Sequence, residues 1–141
     1  MKNWTYRGND FSPNKIDPKE YLGFVYLITC TVTGKKYVGK KGFFFKGKET
    51  VILKSGKKKK RRCLVESDWR EYFSSSEELK QDVKNLGSEN FSREILRLCK
   101  SKAETSYFEA KYQFEMDLLT IDSYNKWIMV RVRKDHLKNL S

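Results

Sequence analysis

The chain has 141 residues, which suits one domain and leaves little room for a second. Its composition, 38% hydrophobic and 14% aromatic, supplies a core and excludes general disorder, and no apolar run is long enough to cross a bilayer. The net charge of +12 indicates a polyanionic partner bound through Lys and Arg. Because the N-terminus also lacks the apolar segment of a signal peptide, we expect a soluble, cytoplasmic protein.

The first part of the chain is predicted to form an arm and a β-hairpin. Residues 1–22 are polar, contain two prolines and are typical of an irregular N-terminal arm. Residues 23–28 and 36–38 are short apolar runs separated by the turn segment TVTGKK, which predicts two paired strands. Each strand carries one tyrosine, Tyr26 on the first and Tyr37 on the second.

A basic insertion over residues 46–62 follows this hairpin. It holds a short β-type run, TVIL, and the densest cluster of cationic residues in the chain. Glycines on both sides of that run favour a mobile loop or a second hairpin. We expect Lys58, Lys59 and Lys60 to bind phosphate, although a solvated surface loop would have the same composition.

A helix and a third strand are predicted next. Ser75 and Glu78 have capping-box spacing, and Gly87 is a natural residue after a helix C-terminus. Between them one apolar face is predicted, formed by Leu79, Val83 and Leu86. Residues 90–99 are rich in apolar β-type side chains and predict the third strand.

The longest predicted helix covers about residues 102–118. Ser101 and Glu104 form a second capping box at its start. One stripe of this helix should face the core, and it consists of Ala103, Tyr107, Ala110, Phe114 and Leu118. Glu109 lies off that stripe.

The end of the chain is predicted to form an edge strand and a tail. Residues 125–133 alternate apolar side chains with Arg131 and Arg133, which predicts a basic outer face. The order β-β-α-β-α-β then predicts an α+β fold, with a small mixed or antiparallel sheet flanked by helices and a β-hairpin that carries both tyrosines. We expect a domain over residues 23–133 and a tail over 134–141.

Most familiar catalytic motifs are absent from the sequence. One histidine, His136, and three cysteines without a Cys-x-x-Cys pair exclude the usual zinc sites and Ser-His-Asp arrangements, and there is no Gly-rich phosphate loop. Two strand tyrosines, a helix glutamate and a basic environment remain. Strand tyrosines often only pack their rings, so the pair by itself does not assign a function.

The surrounding sequence extends this pattern. The segments FVYLI and KKYVGKK resemble the signature of the GIY-YIG nuclease superfamily, with Val25-Tyr26 in the first half and Tyr37-Val38-Gly39 in the second. The segments SSSEELKQDVKNLGSENFSREIL and AETSYFEAKYQFEMDLL, followed by YNKW, resemble the middle and the glutamate-bearing helix of that family. The resemblance covers residues 23–127 and is nearest in appearance to small phage-encoded, Seg-type homing endonucleases.

The resemblance implies a hydrolase that cuts DNA phosphodiester bonds with one divalent metal, Mg²⁺ or another such as Mn²⁺. Glu109 would bind the metal, with Glu104 and Glu115 as alternatives. Tyr26 would act as general base or orient the attacking water, and Tyr37 would position the phosphate. A general base of this type requires nearby positive charge, because the ordinary pKa of tyrosine is about 10.

The resemblance also implies the contacts around the reacting phosphate. Gly39 would allow close approach of the backbone, Lys40 and Lys41 would contact phosphate oxygens, and Asn125 would brace the site. The arginine of the family would fall at Arg61 or Arg62, with Arg70 as the alternative.

Two other functions fit the same residues. One is a non-catalytic nucleic-acid-binding module on this fold, and the other is a small basic structural protein. For the nuclease, the expected partner is double-stranded DNA, and a homodimer on DNA or sequential action would supply a second nick. The host cytoplasm would be the location of a phage-encoded enzyme.

Overall fold

The computed structural model describes residues 3–12, 20–129, 131 and 134. Within these ranges the chain forms seven strands and two α-helices, in the order β1 (Thr5–Tyr6), β2 (Asn9–Asp10), β3 (Gly23–Cys30), β4 (Lys36–Gly42), β5 (Phe44–Ile52), β6 (Lys58–Glu66), α1 (Glu77–Leu86), β7 (Phe91–Cys99) and α2 (Lys102–Glu115), with a short 3₁₀-helix (Ser88–Asn90) between α1 and β7. None of the helices in this part of the chain has the length and apolar character that a membrane span requires.

Five of the strands form one sheet in the order β2-β1-β7-β3-β4. Strand β1 runs parallel to β7, whereas β3 pairs antiparallel with both β4 and β7. The sheet is therefore mixed, and the predicted α+β fold class with a tyrosine-bearing hairpin is confirmed. Among the described residues, strands β5 and β6 pair only with each other, as a separate two-stranded sheet.

The sheet buries apolar side chains on both faces. Alternate residues of a strand point to opposite sides, so Tyr26 and Ile28 join one core cluster with Leu79 of α1. Val25 joins a second cluster with Phe108 of α2. The two predicted helices thus supply apolar contacts to different clusters.

The N-terminal segment is more ordered than the predicted irregular arm. Its described residues form β1 and β2, and Trp4 is buried at 3% exposure. The Trp4 ring packs edge-on against Phe24, and its indole nitrogen donates a hydrogen bond to the Trp69 carbonyl at 2.8 Å. Burial of this ring attaches the segment to the core.

The start of α1 differs by one residue from the prediction. Ser76, not Ser75, is the N-cap, and its hydroxyl accepts a hydrogen bond from the Leu79 N–H. Three consecutive serines offer the same local chemistry, and the packing of Leu79 selects the register. The predicted end at Gly87 is confirmed, because its N–H donates to the Val83 carbonyl and its φ is 92°.

The buried stripe of α2 is rotated from the predicted one. The N-cap at Ser101 is confirmed, and Ala110 and Leu118 are buried as predicted. Phe114, however, is 62% exposed, and the buried positions also include Thr105, Phe108 and Gln113. The helix also ends at Glu115 rather than near residue 118. This rotation turns the glutamate face toward strand β4.

The predicted edge strand over residues 125–133 is wrong where the structure describes it. Residues 125–129 form no strand, and Trp127 and Met129 are 72% and 80% exposed. At this edge of β4, the side chains of Asn125 and Gln113 bond the N–H and carbonyl groups of Val38. These are the backbone groups that a further strand would otherwise pair with. Arg131 is described outside any strand, and Arg133 lies outside the described residues.

Candidate active site

The two motif tyrosines lie on the same face of the β3–β4 hairpin. Tyr26 is opposite Gly39 and Tyr37 is opposite Ile28, so the tyrosines are diagonal neighbours rather than a direct pair. Their ring centroids are 6.1 Å apart. The pairing of β3 with β7 shifts register between Val25 and Tyr26, a bulge of the kind that redirects a side chain.

Gly39 makes room for both rings. A Cβ atom at this position would lie 2.5 Å from the Tyr26 hydroxyl oxygen and 2.8 Å from the Tyr37 Cε1 atom. The structure therefore gives Gly39 a packing role between the tyrosines. Its predicted role in close approach of the substrate stays a prediction.

Replacing Gly39 with alanine should lower the free energy of unfolding by about 1–3 kcal/mol, because a buried site without space for a methyl group must shift its neighbours. Urea denaturation measures this change. Lys40→Ala is the control, since the exposed side chain of Lys40 should leave stability within about 0.5 kcal/mol of the wild type. A Gly39→Ala variant as stable as the wild type would contradict the packing role.

A cleft of about 580 Å³ opens beside this hairpin. Four parts of the chain line it: β4 with Tyr37 and Lys40, the start of α1 with residues 75–78, α2 with Glu109 and Gln113, and the chain segments 124–127 and 129. The cleft thus brings together four of the predicted site residues, namely Tyr37, Lys40, Glu109 and Asn125.

Glu109 is the carboxylate of α2 that faces the cleft, and it is half-buried. Burial raises the pKa of Glu109, while the charge and the backbone N–H of Lys40 lower it in part. The Lys40 ammonium donates a hydrogen bond to the Ser106 hydroxyl at 2.8 Å, which fixes the cation near this site. A carboxylate and a lysine therefore share one wall of the cleft.

The alternative glutamates of α2 have other contacts. Glu104 accepts a hydrogen bond from the Lys100 N–H at 2.7 Å, at the N-terminus of the helix. Glu115 is exposed and lies 4.0 Å from the Lys111 ammonium. Neither residue lines the cleft.

The side chains of Asn125 and Gln113 form hydrogen bonds with the backbone of β4 at its outer edge. The Asn125 side chain accepts from the Val38 N–H at 3.0 Å and donates to the Val38 carbonyl at 2.9 Å. Gln113 donates to the same carbonyl at 2.9 Å, and the Tyr124 N–H bonds the Lys36 carbonyl. Both functional groups of the Asn125 amide are engaged by backbone, which fits the predicted bracing role.

The tyrosines are held as neutral phenols. Burial raises the pKa of Tyr26 well above its usual range, and the adjacent Tyr72 raises it further. Burial also raises the pKa of Tyr37, whose hydroxyl lies 3.3 Å from the Ser75 hydroxyl. The charge of Glu109 raises the pKa of both phenols, so the three titratable groups form one electrostatic site. Tyr26 is only 1% exposed and, unlike Tyr37, does not line the cleft.

Two of the predicted contacts lie beside the cleft rather than in it. Lys41 forms an ion pair with Asp68 at 2.6 Å, and its ammonium sits 4.1 Å from the Tyr72 ring centroid. Arg70 bonds the Glu66 carboxylate at 2.9 Å and stacks over Trp69. Both cations are thus paired with carboxylates at the end of β6 or just after it.

The remaining predicted residues lie on the two-stranded sheet. Of the two predicted outcomes for the basic insertion, the hairpin is confirmed, with β5 and β6 joined by a turn at Gly56. The five remaining predicted site residues all lie on strand β6; they are Lys58, Lys59, Lys60, Arg61 and Arg62. Arg61 bonds Glu49 at 2.5 Å, and neither arginine lines the cleft. Their assignment as the catalytic arginine stays a prediction.

The cleft suits a divalent metal with few protein ligands. Glu77 and Glu78 also line it, but Glu78 forms ion pairs with Lys35 and Lys126, and Glu77 is almost fully exposed. Glu109 makes no ion-pair contact with another described residue. No group of three or more metal-ligating side chains exists among the described residues. A single open carboxylate fits Mg²⁺, which keeps several waters and takes other ligands from substrate phosphate.

Several site residues could not be found from the sequence. Tyr72 packs edge-on against Tyr26 at 6.0 Å, and Ser75 meets Tyr37. Lys126 and Trp127 line the cleft although the sequence pattern assigns them to a strand. The one sequence feature that points to Tyr72 and Ser75 as site residues is that they come shortly before the start of α1.

The comparisons with known proteins agree with this geometry. Residues 4–128 match the profile of the family described as "Putative endonuclease segE, GIY-YIG domain". No curated protein and no solved structure matches the chain. The match spans most of the chain and includes both tyrosines, Glu109 and Asn125, so this chain belongs to the Seg-type GIY-YIG nuclease family.

Proposed function

We propose that this protein is a metal-dependent endonuclease that hydrolyses phosphodiester bonds of double-stranded DNA in the cleft beside β4. The observation that carries the proposal is the placement of Glu109, Lys40 and Tyr37 on one cleft, with Glu109 in no ion-pair contact with another described residue. The excess of cationic side chains supports a polyanionic substrate. Membership of a nuclease family supports hydrolysis of phosphodiester bonds as the reaction.

Glu109 would hold Mg²⁺ or Mn²⁺ as its one protein ligand. The metal, when bound, would polarise the phosphate and stabilise the leaving oxygen. Lys40 supplies a fixed positive charge on the same wall, where it can bind a phosphate oxygen. Asn125 holds the β4 edge in place through both groups of Val38.

Tyr37 would orient the attacking water and the phosphate by hydrogen bonding. A phenol whose pKa is raised by burial stays protonated at neutral pH, and Tyr26 does not line the cleft, so we assign Tyr26 a positioning role exerted through the neighbouring Tyr37 and Tyr72 rather than that of general base. Tyr37 reaches the cleft directly and would contact the phosphate. Gly39 leaves the space that the Tyr26 and Tyr37 side chains occupy and so preserves their relative positions.

One observation favours the non-catalytic alternative. Arg61, Arg62 and Arg70 all lie outside the cleft, and its cationic lining among the described residues consists of Lys40 and Lys126. A nuclease of this design must therefore stabilise the transition state with lysine and metal, or order an arginine when DNA binds.

Incubation of supercoiled plasmid with the protein separates the two functions. The endonuclease should nick or linearise the plasmid with Mg²⁺ or Mn²⁺ and should stop when EDTA is added. Retardation of several duplexes without any cleavage would support the binding module instead. Cleavage that continues in EDTA would contradict the metal requirement.

Cleavage should rise with pH through a midpoint above about 4.3, the ordinary pKa of glutamate. Glu109 must be ionised to bind a cation, and its burial raises the pKa at which this happens. Because the Lys40 charge lowers that pKa, Lys40→Ala should move the acidic midpoint of kcat/KM to higher pH. Lys84→Ala, at an exposed lysine of α1 that does not line the cleft, is the control, and an equal or lower midpoint in Lys40→Ala would contradict the coupling.

A further inference from the structure

The β5–β6 ribbon has two chemically different faces. Residues that pair across an antiparallel ribbon share a face, and alternate positions point to opposite sides. Lys48 pairs with Arg62 and Thr50 with Lys60, whereas Glu49 pairs with Arg61 and Val51 with Lys59. The run of cationic residues along β6 is therefore split between the two sides.

One side, called here the basic face, carries five cations: Lys46, Lys48, Lys58, Lys60 and Arg62. All five are exposed, and none forms an ion pair with another described residue. The acidic residue of this face, Glu66, lies at the base and is bonded to Arg70 and Trp69. The basic face thus has a net positive charge, and no ion pair with a described residue offsets its five cations.

Both faces carry exposed apolar side chains, Ile52 and Leu64 on the basic face and Phe45 and Val65 on the opposite one, so the two faces differ in charge. Arg61 is paired with Glu49, and Val65 covers Gly47, where a Cβ atom would lie 2.6 Å from the Val65 Cγ2 atom. Phe45 lies in the same patch. On the opposite face, Lys59 is the only cation without an ion-pair partner among the described residues.

The ribbon extends from the core and is anchored at its base. Phe43 is fully buried, Phe44 packs against the core, and Ser67 bonds the carbonyls of Gly42 and Phe43. With nine residues in each strand, the ribbon is about 30 Å long at roughly 3.4 Å per residue. That length corresponds to about nine base pairs of B-form DNA, whose major groove admits a two-stranded ribbon.

We propose that the basic face of the β5–β6 ribbon binds the phosphate backbone of duplex DNA outside the cleft and positions the duplex for cleavage. This inference rests on the part of the proposed function that makes DNA the substrate. It does not depend on whether the protein cleaves that DNA. Duplex DNA is favoured over single strands, which are usually bound on aromatic stacking platforms. The one aromatic side chain of the basic face, Phe44, packs against the core.

Two matched pairs of substitutions test the face. Lys48→Gln with Arg62→Gln removes one lysine and one arginine from the basic face, and Lys59→Gln with Arg61→Gln removes the same charges from the opposite face. Both are made in the full chain with Glu109→Gln, so that the DNA stays intact. Binding to a labelled duplex is measured across a salt series, and thermal melting of each variant checks the fold.

Loss of two phosphate contacts should reduce the slope of log K against log salt by about 2 and weaken binding roughly ten- to a hundredfold at about 0.1 M salt. We expect this for the basic-face pair and less than half of it for the opposite pair. Equal effects of the two pairs, no effect of either, or stronger binding to a single strand than to the duplex would overturn the proposal. Failure of the wild type to cleave, with these binding differences intact, would contradict the proposed reaction and leave the ribbon assignment standing.

Discussion

Replacing Glu109 with glutamine should reduce DNA cleavage by about a thousandfold or more. Among the residues that the structure describes, Glu109 is the one cleft carboxylate that is half-buried and makes no ion pair, and we propose it as the sole protein ligand of the metal. Loss of metal stabilisation worth several kcal/mol in the transition state corresponds to at least three powers of ten in rate. The measurement is the initial rate of supercoiled plasmid loss in Mg²⁺.

The same variant should unfold at the wild-type temperature or above it. Burial raises the pKa of Glu109 in the folded protein, so the ionised form opposes folding once the pH exceeds that pKa. The stability linked to the protonated form is complete below the unfolded pKa and is lost as pH rises through the folded pKa. Glutamine stays neutral, so Glu109→Gln should gain stability relative to the wild type as pH rises.

Glu115→Gln is the matched control, because Glu115 is on the same helix, exposed and outside the cleft. It should cut DNA at the wild-type rate. A Glu109→Gln variant that is inactive because it is unfolded would be recognised by a lower melting temperature. Equal loss of cleavage in the two variants would contradict a specific role for Glu109.

Removing the hydroxyl of either motif tyrosine should reduce cleavage by about a hundredfold, the usual contribution of one oriented catalytic hydrogen bond. Tyr37→Phe removes a group that lines the cleft, and Tyr26→Phe removes one buried between Gly39 and Tyr72. Both should keep KM for DNA near that of the wild type if the hydroxyls act mainly in the transition state. Plasmid cleavage rates at saturating DNA separate kcat from KM.

Tyr112→Phe is the control for these two variants, since Tyr112 is a half-buried tyrosine of α2 that lies outside the cleft. All three variants should stay within about 1 kcal/mol of wild-type stability, the net contribution of a typical hydrogen bond. Full activity in both Tyr26→Phe and Tyr37→Phe would contradict the proposed roles and return these residues to simple packing.

The sequence was sufficient for the parts of the site that depend on local pattern. Alternating apolar residues and a Gly-containing turn define the β3–β4 hairpin, and a fixed interval then places Tyr26 and Tyr37 on one face. A capping box at Ser101 fixes where α2 begins. Glu109 could be selected only through the family resemblance.

The parts that depend on distant contacts could not be predicted. The stretch after α2 has the alternation of a strand, yet Asn125 and Gln113 bond Val38 and occupy the edge where such a strand would pair. The rotation of α2 that exposes Phe114 is likewise set by packing on the sheet. Helical period alone allows several neighbouring stripes.

The faces of the ribbon depend on register. A slip of one residue would exchange every side chain between the two faces. The turn at Gly56 sets the pairing of Glu49 with Arg61 and thereby separates Arg61 from Arg62. A run of consecutive cations contains no information about this choice.

Binding of Mn²⁺ to the protein–DNA complex tests the central claim most directly. Electron paramagnetic resonance measures free Mn²⁺ in the presence of the protein and a duplex with an uncleavable phosphorothioate bond. The wild type and Glu115→Gln should each bind Mn²⁺ in this complex, and Glu109→Gln should bind it far more weakly while still binding the DNA. Equal Mn²⁺ binding by Glu109→Gln and Glu115→Gln would contradict the assignment of Glu109 as the metal ligand.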